Sequence, residues 1–234
     1  MRACRHDLQG PACGVIRPWI STNLAVSIDG KISSVARRAS GWTTREDHAR
    51  LIDLRRGADA LMVGRGTLEA DRMTMKVPDQ PVQPLRCVVS RRGVFDPGHP
   101  LFHSPGGEIH LLVTENPGCV PPLGTVHHAT LAEFLTTLAE QHGVKRLHCE
   151  GGGGLIRSLA EMDAIDEFHL TLAGHTLFGG HDAPTATGLP GDFLPCSLEF
   201  EMSHFDPRSE SGECFLSYRR RERRAPTRRE VMDQ

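Results

Sequence analysis

The sequence predicts an α/β domain built on a mostly parallel sheet with an antiparallel hairpin at its end. Three observations carry this. Short continuous apolar runs such as "ALMVG" (60–64) have the length and content of strands buried on both faces. Stretches of helical period alternate with these runs. The chain closes on two alternating segments, "SLEFEMSHFD" (197–206) and "GECFLSYRRR" (212–221), separated by a turn.

Each element can be justified in order. "WISTNLAVSI" (19–28) is rich in β-branched residues and reads as a strand ended by "DGK". A helix follows, with Thr43 or Thr44 as N-cap, acids in its first turn, Leu51, Ile52 and Leu54 opening an apolar face, and Gly57 as its stop. After the strand 60–64, "RGTLEAD" is a turn and short helix. Met73 to Pro84 is Pro-rich and irregular. "LRCVVS" (85–90) and "EIHLLVT" (108–114) are strands joined by a long loop, and "TVHH" is a brief strand. "TLAEFLTTLAEQHGV" (130–144) is an amphipathic helix capped by Thr130 and stopped at Gly143. "KRLHC" is a strand, "GLIRSLAEMDAI" a helix, and "DEFHLTLAG" (166–174) a strand.

Composition excludes several classes. Of 234 residues, 38% are hydrophobic and 24% charged, which fits one packed domain and not a disordered chain. The net charge of −2 hides an Arg-rich tail, Arg219–Gln234, with seven arginines against three acids. A body without basic excess argues against nucleic-acid binding, and the tail reads as a solvated terminus. The seven cysteines are odd in number and form no CxxC, the pattern of a reducing, cytoplasmic setting. No apolar run approaches the ~20 residues of a membrane span, and the N-terminus has no signal-like apolar region. The expected organisation is a mobile extension (1–16), one domain (17–218) and the tail (219–234).

Four loops after expected strands carry ligand-type residues. "CEGGGGLIRS" places Glu150 before four glycines and a helix. It is no Rossmann fingerprint, because Arg157 stands where the third glycine belongs, and no Lys-Ser/Thr makes it a P-loop. The physics of an anion site remains: N–H groups at a helix start, unshielded by Cβ atoms. A tight structural turn is the competing reading. "IDGK" ends in Lys31, "VGRGTLEAD" brings Thr67 and Asp71, and "ASGWTT" sets Trp42 in a polar loop. Together they describe one ligand-lined edge of an α/β sheet. The thirteen histidines show no HExxH, and adjacent His127 and His128 make poor joint ligands, so no metal site is expected. G-x-S-x-G and the zinc-deaminase signature are also absent.

Read in order, "RPWISTNLAVSIDGKI", "SGWTT", "LRRGADALMVGRGTLEAD", "PLRCVVS" and "CEGGGGLIRSLAEMDAIDEFHLTLAGHTLFGG" resemble the reductase domain of riboflavin biosynthesis in its stand-alone form. The resemblance spans about Arg17 to Tyr218. It implies a dihydrofolate-reductase-like, three-layer α/β/α fold and a homodimer. It implies NADPH-dependent reduction of the ribosylamino side chain of a pyrimidine 5′-phosphate, with hydride reaching the C1′ imine. By position it implies cofactor contacts at Val26, Trp42, Thr67, Asp71, Ser90 and the stretch Gly152, Gly153, Gly154, Leu155, Ile156. It implies substrate contacts at Ser40 and Arg55, with Arg55 near the phosphate, and ribose-side catalytic groups at Lys31 and Glu150. "EADRMTMK" departs from the family's usual Asp-Pro continuation, and the Trp42–Arg55 segment is one residue short. A dihydropterin-type reductase and a non-catalytic nucleotide-binding module are the alternatives.

Overall fold

Strand β1 (Trp19–Ser27) lies inside a nine-stranded sheet. In this computed structural model, residues 16–37, 41–115 and 124–221 are described. After β1 come α1 (Arg45–Arg56), β2 (Ala60–Gly64), α2 (Arg65–Asp71), β3 (Leu85–Ser90), β4 (Ile109–Val113) and β5 (Thr125–His128). Then follow α3 (Leu131–Gln141), β6 (Arg146–Cys149), α4 (Gly153–Glu161), β7 (Glu167–Ala173), β8 (Phe200–Arg208) and β9 (Glu213–Arg220). The long loop before β4 holds one 3-10 turn, Pro100–Phe102.

The sheet order is β5-β4-β3-β2-β6-β1-β7-β9-β8. Strands β1 to β7 pair in parallel, and β9 joins β7 antiparallel with β8 as its hairpin partner. The chain builds outward from β2 to β5, then returns to insert β6 between β2 and β1. That reversal is the switch point where open α/β sheets bind ligands, beyond the C-terminal ends of the strands.

Alternation of side chains separates two faces. Ala60 and Met62 of β2, with Leu147 and Cys149 of β6, pack under Phe134, Leu138, Ile156 and Leu159 of α3 and α4. Leu61 and Val63 face the other way, against Leu68 of α2, Met75 and Leu101. Cys87 and Cys149 are fully buried, and burial pushes the Cys149 thiol up to about 12. They act as small apolar side chains.

Helix α1 departs from the simple amphipathic expectation. Ile52 is buried, but so is Arg55, while Leu51 and Leu54 are only half-buried. The sheet face beneath α1 is polar. Arg50 donates to the carbonyls of Leu170 and Leu216, both at 2.8 Å, and Thr171 donates to Asp47 at 2.6 Å. Thr44 closes the helix start, taking the Asp47 N–H at 3.3 Å and donating to Glu213 at 2.5 Å.

Strand β9 runs two residues past Tyr218. Arg219 meets Glu167 at 3.3 Å and Arg220 meets Asp163 at 2.9 Å, so these two belong to the sheet. The rest of the expected extension and tail, and Ser40, lie outside the described residues, apart from Ile16 and Arg221. No helix among the described residues is long and apolar enough to cross a membrane.

Candidate functional site at the switch point

The C-terminal ends of β1, β2, β3 and β6 share one edge because the strands are parallel. Strand β6 ends low on this edge. Cys149 is level with Thr22, while β1 runs on to Ser27. The step leaves Glu150 and the glycines in a recess between β1 and β2, fixed by Glu150 N–H to Met62 O (2.9 Å) and Gly64 N–H to Gly151 O (2.7 Å).

The four glycines differ in what demands them. Gly151 adopts φ +82°, which side chains rarely tolerate. A Cβ on Gly152 would stand 2.6 Å from Thr67 Oγ1, and one on Gly153 would stand 2.3 Å from Gly188 N. A Cβ on Gly154 would meet nothing within 4 Å. Helix α4 therefore begins in a cradle open at Gly154, and no side chain among the described residues caps it. Helix α2 likewise starts at Gly64 without a side-chain cap. Leu155 and Ile156 send their side chains into the core, and both N–H groups bond Gly152 O. Their part at this edge is to hold the turn.

The segment between β7 and β8 covers this edge. Its Thr185 and Gly188 sit against Gly153. Asp29 anchors it, accepting Ser27 O–H at 2.5 Å and Gly179 N–H at 2.8 Å. The Ser27 hydroxyl holds the Asp29 carboxyl below its usual range. Lys31 is half-buried on the same turn, its N–H bonded to Ser27 Oγ at 3.0 Å. Trp42 stands edge-on to Phe178 at 4.9 Å, so the loop tryptophan packs on the covering segment. Sequence reading missed this segment's part; its only local signal is a run of glycines and turn residues.

Arg55 and Glu150 meet in a buried bidentate ion pair, Nε to Oε1 and Nη2 to Oε2, both at 2.6 Å. The resemblance implies Arg55 near a substrate phosphate and Glu150 facing ribose; in the fold the two side chains also hold each other, because the guanidinium fork matches a carboxylate as well as a phosphate. Burial lowers the Arg55 pKa, Glu150 more than offsets this, and the net shift is upward.

Val26 is half-buried on β1 opposite Leu172. Thr67 lies beside Gly152, and Asp71 is half-buried at the end of α2. The Ser90 hydroxyl is buried and accepts the Gly93 N–H at 3.0 Å. Two surface hollows lie elsewhere, one between α1 and the β8–β9 hairpin, one beside Arg146 and Glu167. Neither contains the glycine turn or Glu150, and the bonds and steric limits above point to the recess instead.

A family model described as the RibD C-terminal domain matches residues 18–205. The chain belongs to this family. A relative from Archaeoglobus fulgidus, named 2,5-diamino-6-ribosylamino-4(3H)-pyrimidinone 5′-phosphate reductase, is 32% identical over 208 residues, 79% of this chain and 92% of the relative. Among solved structures, Acinetobacter baumannii RibD superposes with TM-score 0.75 at 18% identity, covering 88% of this chain and 59% of that one. Dihydrofolate reductase from Enterococcus faecalis, complexed with NADP(H), has TM-score 0.52 at 15% identity, covering 87% and 97%. The fold is therefore dihydrofolate-reductase-like, as the motifs of this RibD-family chain led us to expect.

Proposed function

We propose that this chain is the NADPH-dependent reductase of riboflavin biosynthesis that converts the ribosylamino side chain of a pyrimidine 5′-phosphate to ribitylamino. The observation that carries the reading is the juxtaposition of an uncapped, glycine-built helix start with a buried Arg55–Glu150 pair at one switch point. It rests also on membership of the family and on the name of the archaeal relative.

The recess suits a dinucleotide. Its cradle would be filled by a Cβ at Gly152 or Gly153, and the α4 start presents N–H groups to an anion. Gly152, Gly153, Gly154 and Thr67 would hold the diphosphate, with Val26, Trp42, Asp71 and Ser90 at the remaining positions. Bound NADPH supplies the hydride. The chain's residues bind and orient the acceptor and deliver the proton.

When the C1′ carbon accepts hydride, the C=N pair moves to nitrogen, which takes a proton. Lys31, or a water held by Lys31 and Glu150, supplies it. Arg55 fixes the Glu150 carboxylate toward the ribose through Nε and Nη2, leaving Nη1 to meet the substrate phosphate. The family resemblance adds Ser40, which lies outside the described residues, as a substrate contact. The homodimer reading is supported by edge strand β8, where Met202 and Phe205 are exposed.

An acceptor panel followed by NADPH absorbance tests the assignment. Turnover with the ribosylaminopyrimidine phosphate and none with dihydrofolate is expected. Turnover with dihydrofolate alone would transfer the site to pterin chemistry, and NADPH binding without any turnover would make the chain a nucleotide-binding module.

A further inference from the structure

Three histidines converge far from the glycine turn. His110 lies on β4, His127 on edge strand β5, and His142 ends α3. In the parallel register His110 lies opposite Thr125 and Leu112 opposite His127. His110 and His127 are therefore diagonal neighbours on one face, the face that α3 covers. One ring nitrogen from each histidine lies within 4.8 Å of the other two. His110 Nδ1 is 3.0 Å from His127 Nε2, and the His110 and His142 ring centroids are 4.5 Å apart.

A hydrogen bond between two imidazoles explains only part of this. His110 is fully buried, and its Nε2 has no hydrogen-bond partner among the described residues. The nearest carboxylate, Glu108, stands at 3.8 Å from that nitrogen, too far for a hydrogen bond. An ion held between the three rings would take His110 Nδ1, the nitrogen that already faces His127, and leave the ring proton on Nε2.

We propose that His110, His127 and His142 form a site for a divalent zinc-class ion, with water in the fourth position. Three imidazoles suit zinc, nickel or copper(II) and disfavour calcium and magnesium, which take oxygen ligands. The ion would be a clamp. Strand β5 is the sheet's edge and only four residues long, and the site ties it to β4 and to the end of α3. The sequence hides it because the ligands lie on three elements, with no short spacing. Of the adjacent pair His127–His128, only His127 contributes.

The test uses the full chain, stripped with a chelator and titrated with Zn²⁺ by calorimetry, then with Co²⁺ followed by visible absorption. His142 is exposed, so His142→Gln should fold; His127→Gln is the second variant. One Zn²⁺ per chain is expected, with affinity reduced at least about tenfold in either variant. Four-coordinate Co²⁺ absorption and a Zn²⁺-dependent rise in melting temperature should appear only in the unaltered chain. Absence of stoichiometric binding, or binding unchanged in both variants and so owed to other histidines, would overturn the proposal.

Discussion

Helices α3 and α4 flank β6 in sequence and pack on the same sheet face, yet they begin in opposite ways. Helix α3 closes itself. Thr130 Oγ1 accepts the Glu133 N–H at 3.2 Å, and Glu133 accepts the Thr130 N–H at 2.8 Å, a complete capping box. Helix α4 is entered through four glycines, Gly151 to Gly154, and has no side-chain cap among the described residues. A start optimised for folding satisfies its own N–H groups. A start left open in a built cradle, beside a buried ion pair, has N–H groups available to a ligand, as the proposed function requires. The difference separates stability from function within one stretch of chain.

The largest effect belongs to the ion pair beside α4. Glu150→Ala or Arg55→Ala strands a buried charge and should cost about 3–5 kcal/mol in urea unfolding. The double variant Arg55→Met/Glu150→Leu should recover most of that stability without recovering turnover. Recovered turnover would remove both residues from the reaction.

Next comes the polar sheet face under α1, the counterpart of the apolar face under α3 and α4. Burial, with the charges of His169, Arg55 and Arg50, pushes His148 down to about 3, and burial also lowers His169. Both stay neutral in the fold while the unfolded chain protonates near pH 6.5. Their contribution is thus whole above that pH and is lost as pH falls toward 4. Urea midpoints should drop steadily over this window, to which buried His110 also contributes, and His148→Asn should flatten the slope. A slope unaltered in that variant would contradict the assignment.

The glycines grade the comparison itself. Gly153→Ala meets backbone at Gly188 and should cost about 1–3 kcal/mol and raise the KM for NADPH. Gly154→Ala faces open space and should change stability by less than ~0.5 kcal/mol. Equal costs at the two positions would show that the covering segment does not sit where described. Thr130→Ala should cost about 1 kcal/mol and leave the KM for NADPH untouched. A shifted KM would erase the division between the two helix starts.

Much of this was legible in the sequence because it is local. Continuous apolar runs marked the buried strands, threonines marked two helix starts, and alternation marked the terminal hairpin. The order of motifs carried the family. What stayed hidden is long-range. Arg55 and Glu150 are 95 residues apart, and nothing in "LRRG" or "CEGG" says that one fork grips the other carboxylate. The insertion of β6 between β2 and β1 follows from tertiary packing, as do the cover over Gly153 and the gathering of His110, His127 and His142. Residue types named the candidates; only the fold could say which of them touch.

The central claim is that this edge delivers hydride from NADPH to C1′ of the ribosylaminopyrimidine phosphate. Turnover with NADPH deuterated at the transferring nicotinamide carbon tests it most directly, with product read by NMR. A single deuterium at C1′ of the ribityl chain is predicted, with product formed more slowly but carrying the same label in Glu150→Gln. Product without deuterium at that carbon, or no product from folded protein that binds NADPH, would contradict the account.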